Sequence, residues 1–248
     1  MPYFWINGKG NGGGDTGGGG TTPTRPINQG GNGSFLGGDG TVGNPYLVGD
    51  PADLNAVRNN LSAYYKQVCD IDMSEFGNWI PIGNDPGFGG YYNGNGYKID
   101  NLICEQTTNY AGLFGVISAG KIENVNIENA KITGGNYVGG ICGSFKNSLS
   151  NVINCHVDGS ISGYDYVGGI CGYYGLIRFC YVTGSVTGNN YVGGMSGKAL
   201  ECYNCFVLLD KICRIAGSTG SYFGDITGGA AGTIEKCYSL DTLEFRQL

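Results

Sequence analysis

The sequence predicts an all-β solenoid of the β-helix type, and three observations carry that expectation. A glycine-punctuated phrase returns five times at a near-constant interval. Short alternating strand patterns fill the space between the returns. Cysteines fall in shared columns rather than in scattered pairs. The phrase reads Tyr110-Ala-Gly-Leu-Phe-Gly115, Tyr137-Val-Gly-Gly-Ile-Cys-Gly143, Tyr166-Val-Gly-Gly-Ile-Cys-Gly172, Tyr191-Val-Gly-Gly-Met-Ser-Gly197 and, more worn, Tyr222-Phe-Gly-Asp-Ile-Thr-Gly228. Its closing glycines are 28, 29, 25 and 31 residues apart. A period of that length marks a stack of structural units, none of which buries its apolar face alone.

Taken in order, residues 1–43 are low complexity, with 15 of the chain's 49 glycines in the first 40 positions. Glycine loses the most entropy on ordering and adds no side chain, so this stretch reads as an anchor or linker. The run Tyr3-Phe-Trp-Ile6 at its start is apolar enough to dock into a larger assembly. Residues 44–63 form a second unit. Asp50 or Pro51 opens a short helix with Leu54, Val57 and Leu61 on one face, a cap for the exposed end of a solenoid. From residue 64 to 248 the pattern is strand-like. It begins with Tyr64–Met73, Trp79–Gly83 and Tyr91–Ile103, where Asn-Gly pairs mark turns. The phrases then run almost to the end, each carrying roughly three short strands. With strands about 4.8 Å apart, some seven rungs make a rod on the order of 35 Å long.

Ten cysteines invite a disulfide reading, but their placement opposes it. Cys155, Cys180, Cys205 and Cys237 occupy the position held by Val125, and Cys142 and Cys171 share another column. A thiol that alternates with valine, isoleucine and serine acts as a small core residue, which favours reduced, stacked thiols. Cys202-x-x-Cys205 has zinc-ligand spacing without a second pair or a histidine to complete it. No cofactor is expected.

The charge balance, 14 Lys+Arg against 20 Asp+Glu for a net −6, offers no basic patch for nucleic acid. No run of 18 apolar residues spans a membrane, and the N-terminus lacks a secretory signal pattern. That absence and the thiol-rich core together point to folding in a cytosol.

The phrases Gly112-Leu-Phe-Gly115, Gly140-Ile-Cys-Gly143, Gly169-Ile-Cys-Gly172 and Gly194-Met-Ser-Gly197 resemble the GLUG motif. Asn44 to Leu61, Cys69–Met73, Trp79–Gly83 and Asn93–Ile99 resemble the segment that precedes such repeats. The resemblance covers about residues 41–240 and implies a parallel β-helix. The expected architecture is a right-handed parallel β-helix with a short N-terminal capping helix, preceded by the Gly-rich segment. Proteins with similar repeats include bacterial surface adhesins, neighbours of immunoglobulin-cleaving metallopeptidases, and phage tail or fibre proteins. Binding to glycans or host surfaces is the theme they imply.

Chemistry is sparse. A zinc peptidase needs His-Glu-x-x-His, and His156 is the single histidine. It sits at an alternating strand position, where it reads as exposed and structural. Asp70 and Asp72 share a strand face and could bind a cation or act on a sugar, or instead bond to adjacent turns. Gly38-Asp-Gly-Thr-Val-Gly43 mimics a nucleotide fingerprint without a strand before it. Gly197-Lys-Ala199 lacks the Ser or Thr and the first glycine of a phosphate loop. Thr133, Ser162 and Thr187 form a hydroxyl column too irregular in period for a flat lattice.

Aromatics are the more promising surface. Tyr110, Tyr137, Tyr166, Tyr191 and Tyr222 recur in register and read as a structural ladder. Tyr164, Tyr173, Tyr174, Tyr181 and Tyr203 lie at polar or turn positions and are the candidate binding residues, since an aromatic face with a polar tip suits sugars and protein surfaces. The expected function is non-enzymatic: a phage tail or virion fibre adhesin recognising a host glycan or protein, attached to other subunits through residues 1–43. A secreted bacterial adhesin and a polysaccharide-degrading enzyme at Asp70 and Asp72 are the alternatives. Homo-oligomerisation stays open, because no coiled-coil heptads demand it.

Overall fold

A computed structural model describes residues 34–148 and 150–240, together with the backbone of 246 and 247. Of Ala230 and Ala231 it describes the backbone alone. The expected anchor run at residues 3–6 lies outside the described residues. The chain is a parallel β-solenoid of about six turns, slightly fewer than the seven rungs expected, with one short helix among the described residues. Its strands stack into three sheets, and every named strand pairs in parallel with its neighbours in the next turn.

The first sheet begins with Tyr46–Val48, Tyr64–Gln67 and Tyr91–Asn93 and continues through Cys171–Arg178, Ser196–Tyr203 and Thr227–Glu235. The second is narrow, made of Val138–Gly139, Asp165–Gly168, Asn190–Gly193 and Phe223–Gly224. The third holds Asn126–Thr133, His156–Ser162, Tyr181–Gly188 and Phe206–Arg214. Alternate residues face opposite sides of a strand, so Ile127, Val157, Val182 and Val207 form one buried column and Ile132, Ile161, Val186 and Ile212 a second.

The phrase earns its residues at the corner between the third and second sheets. All five phrase tyrosines adopt left-handed backbone, with φ between 52° and 68°. The closing glycine of the following phrase lies directly over that corner. A Cβ on Gly143 would stand 2.6 Å from Tyr110 Cα, and one on Gly197 would stand 2.6 Å from the Tyr166 carbonyl carbon. No side chain fits there, because real Cβ contacts are not that short.

The helix spans Pro51–Ala56 and passes into a 3-10 turn at Val57–Asn59. Asp50 caps it by accepting from the Asp53 N–H at 2.9 Å, and proline in the first turn suits the N-terminus. Leu54 and Val57 are fully buried, whereas Leu61 falls beyond the helix and packs only partly. The cap is broader than the helix. Asp53 accepts from the N–H groups of Phe35 and Gly49, at 3.0 and 3.2 Å, and Phe35 stacks on Tyr46 at 4.5 Å. Residues 35–48 thus pack on the first turn before the helix begins.

All ten cysteines are unpaired thiols, and eight are buried. At the corner between the first and third sheets, Cys155, Cys180, Cys205 and Cys237 each donate to the carbonyl two residues earlier, at 3.2 to 3.4 Å. The residue between thiol and carbonyl is left-handed each time: Asn154, Phe179, Asn204 and Lys236. A cysteine here fills the core as a valine would and also satisfies a corner carbonyl.

Candidate binding surface

The phrase tyrosines form a ladder. Successive rings stack at 4.5 to 5.1 Å with planes within 10° of parallel. Left-handed backbone at each tyrosine repeats the same side-chain direction in every turn. Stacking covers the ring faces, so the interior rings present mainly edges and hydroxyls. Burial and the neighbouring phenols push the Tyr137 and Tyr166 hydroxyls above the ordinary tyrosine range.

The five irregular tyrosines do not converge on one site. Tyr173 meets Tyr137 and Tyr166 edge-on, at 5.6 and 5.0 Å. Tyr174 occupies a β-bulge, left-handed at φ 65°, which turns its ring alongside Tyr173 at 5.5 Å. Both therefore extend the ladder. Lys198 joins them, its Nζ 6.0 Å from the Tyr173 ring and 5.9 Å from the Tyr191 ring. This is the lysine of the failed phosphate-loop phrase, and only the register with the adjacent turn shows that it faces aromatics. Tyr203 is held by Lys236, which donates to its hydroxyl at 2.8 Å, and it meets Phe179 edge-on. Tyr164 is exposed in the loop ahead of the ladder, where its backbone bonds to Gly135 and Asn189.

Tyr181 is different. It lies on the outer face of the third sheet, 44% exposed, and stacks on His156 at 3.7 Å. His156 is half-buried rather than exposed as the sequence suggested, because Tyr181 covers one ring face. Its Nδ1 lies 2.7 Å from Asn126 Oδ1, and its Nε2 lies 3.3 Å from Thr183 Oγ1. Asn126 donates to Glu128, which orients its carbonyl oxygen toward the imidazole. Burial lowers the His156 pKa to about 4 against the opposing pull of Asp158 and Glu128, so the ring is neutral at pH 7.

Beside this pair runs an open groove of about 440 Å³, lined by Asn95, Asn124, Asn126, Asn154, His156 and Tyr181. Its asparagines arise from corner geometry. Asn95, Asn124 and Asn154 are left-handed, a conformation asparagine tolerates better than most residues. Asn154 donates to Asn124 Oδ1 at 2.7 Å, and Asn124 donates in turn to Asn93 at 3.0 Å. The ladder then stops, because Phe179 holds the corner of the next turn. Among the described residues, no donor is hydrogen-bonded to Asn154 Oδ1, which is left at the groove's rim. Sequence reasoning missed these asparagines, although the recurring Asn before Cys or Val in the aligned strands was a usable signal.

The acidic pair is committed elsewhere. Asp70 accepts from the Lys98 N–H at 3.0 Å, and Asp72 accepts from Asn101 and from the Ser74 N–H. The Asn101 amide, then the Ser74 N–H, hold the Asp72 carboxyl below its ordinary range, opposite to the shift a general acid needs. The hydroxyl column of Thr133, Ser162 and Thr187 is in register but ends at Cys213. Among the described residues, no cluster of three His, Cys, Asp or Glu is placed to hold a metal, and no helix is long and apolar enough to cross a membrane.

No family model matches the chain, so its likeness to GLUG-motif proteins rests on the phrases themselves. Over 130 residues it is 40% identical to "Halomucin" of Haloquadratum walsbyi, a match that covers 46% of this chain and 1% of that protein. Over 109 residues it is 41% identical to the "Putative Gly-rich membrane protein" of Evansella cellulosilytica, covering 40% of this chain and 12% of that one. The chain thus spans a small fraction of the length of these relatives. Among solved structures, one from Bacteroides ovatus titled "putative immunoglobulin A1 protease" matches with a TM-score of 0.66 at 20% identity, over 86% of this chain and 81% of that one. At that identity the two share a fold; the protease name stays with the Bacteroides protein.

Proposed function

We propose that this chain is a non-enzymatic binding module of a cell-surface or secreted protein, and that it recognises a surface glycan in the groove beside Tyr181. The observation that carries this reading is the groove itself. Its volume of about 440 Å³ falls in the range of small-ligand sites, roughly 300–1,000 Å³. Its lining pairs amides, which both donate and accept, with an exposed aromatic ring. Sugar hydroxyls need such two-way partners, and the apolar face of a pyranose suits an aromatic wall. The names of the similar proteins, a halomucin and a Gly-rich membrane protein, support the surface setting. A phage fibre is the finer alternative, resting on the sequence resemblance alone. Hydrolysis at Asp70 and Asp72 is disfavoured because both carboxylates are engaged in turn-to-turn hydrogen bonds.

The test is binding of the fluorescent full chain to bacteria with and without surface polysaccharide. Binding that requires the polysaccharide and falls at least tenfold in Tyr181→Ala supports the reading. Binding unaffected by Tyr181→Ala but lost in Tyr173→Ala would move the site to the tyrosine ladder. Release of reducing sugar would replace a binding module with an enzyme.

A further inference from the structure

The groove beside Tyr181 has a charge as well as a shape. Its wall on the third sheet is the column of Asn126, His156 and Tyr181, which pair in register from turn to turn, and Lys98 extends that column by one turn. Two residues further along the same strands stand Asp100, Glu128, Asp158 and Thr183. Alternate strand residues share a face, so three carboxylates flank the wall on its outer side. Asp100 pairs in register with Glu128, and Asp158 with Thr183.

This acidic column is only partly neutralised. Lys98 is shared between Asp100 and Glu128, at 3.1 and 3.4 Å. Asp158 accepts from the Thr183 hydroxyl at 2.6 Å and, among the described residues, forms no ion pair. The other bases on the neighbouring strands are committed: Lys121 to Glu123 and Lys131 to Glu105, each at 2.5 Å, and Arg178 to Glu201 at 2.8 Å. Burial, then the carboxylates of Glu128 and Asp158, push the Tyr181 hydroxyl above its ordinary range, so their field reaches the groove wall. Across the groove, the asparagine ladder donates from Asn154 to Asn124 to Asn93, which leaves Asn154 Oδ1 as an acceptor at the rim.

We propose that the groove selects neutral and amino sugars and rejects sugars that carry carboxylate or sulfate groups. The proposal rests on the glycan reading above and names its chemical class. A hydroxyl or an ammonium group supplies the donor that Asn154 Oδ1 needs, whereas an ionised carboxylate or sulfate only accepts. An acidic sugar would also bring its charge beside Glu128 and Asp158, and the bases around them already hold carboxylates of this chain. Selectivity then comes from like-charge repulsion as much as from attraction.

The experiment measures binding of the full chain to immobilised oligosaccharides in matched sets: a hexose, an amino sugar, a uronic acid and a sulfate ester on one backbone. At low salt, the expected result is binding to neutral or amino members that is lost in Tyr181→Ala, with the matched acidic members at least about tenfold weaker. Asp158→Asn keeps an acceptor for Thr183 and should narrow that gap at least about threefold, as should added salt. The readout is a ratio, so a variant that merely folds less well lowers both members and leaves it unchanged. Tyr181-dependent binding as tight for the acidic members would overturn the selectivity and leave the glycan reading standing. A gap unmoved by both Asp158→Asn and salt would place the discrimination in shape and overturn the electrostatic argument. Absence of Tyr181-dependent binding to every set would overturn the proposal and the glycan reading together.

Discussion

Removal of one interior ring from the tyrosine ladder tests whether stacking, and not merely the glycine turn, holds the corners together. Tyr166 stacks on Tyr137 at 5.1 Å and on Tyr191 at 4.7 Å, and takes the Tyr173 edge at 5.0 Å. Tyr166→Ala deletes all three contacts. At about 0.5–1.5 kcal/mol for each aromatic pair beyond its area, the loss is roughly 1.5–4.5 kcal/mol. Alanine also tolerates the left-handed backbone at φ 59° no better than tyrosine does, so nothing offsets it. Tyr222→Ala, at the end of the ladder, deletes only the contact with Tyr191 at 4.5 Å and should cost about a third as much. Tyr166→Phe keeps the stack and should cost less than 1 kcal/mol, about the net worth of one hydroxyl hydrogen bond. The assay is urea unfolding followed by circular dichroism, with the slope of the transition checked for constancy. Equal losses for Tyr166→Ala and Tyr222→Ala would refute the stacking argument. A loss below about 0.5 kcal/mol for Tyr166→Ala would do the same, leaving the ladder as a by-product of the turn.

Two further outcomes follow from the same geometry. Gly172→Ala would place a Cβ 2.5 Å from Gly143 O and 2.7 Å from the Tyr137 carbonyl carbon, so adjacent turns must separate; a loss of roughly 1–3 kcal/mol is expected by the same denaturation assay. Burial holds His156 near pKa 4, below the 6.5 of the unfolded chain. The unfolded state therefore binds the extra proton between those values, and His156 lowers stability as pH falls from about 6.5 to about 4. His156→Gln should flatten the stability profile in that window, and an unchanged profile would show that the imidazole is not the group responsible.

The sequence alone determined the solenoid, because a rung that must stack on its own copy writes the same inward column every 25 to 31 residues. The Val125–Cys237 corner column and the ladder tyrosines were legible in that repeat, whereas the buried columns through Val157 and Ile161 emerged from strand register. The cap was legible in part. Asp50, Pro51 and Leu54 signal a helix, but a phenylalanine in a glycine-rich stretch gives no local sign that it will stack on Tyr46. The candidate binding surface needed the tertiary structure, because the chain passes each face once per turn and side chains distant in sequence meet across turns. Tyr173 and Tyr174 look solitary in the sequence, yet register and a bulge bring them onto the ladder. Tyr181 looks equivalent to them, yet stacking on His156 places it at the rim of an amide-lined groove built from three other turns.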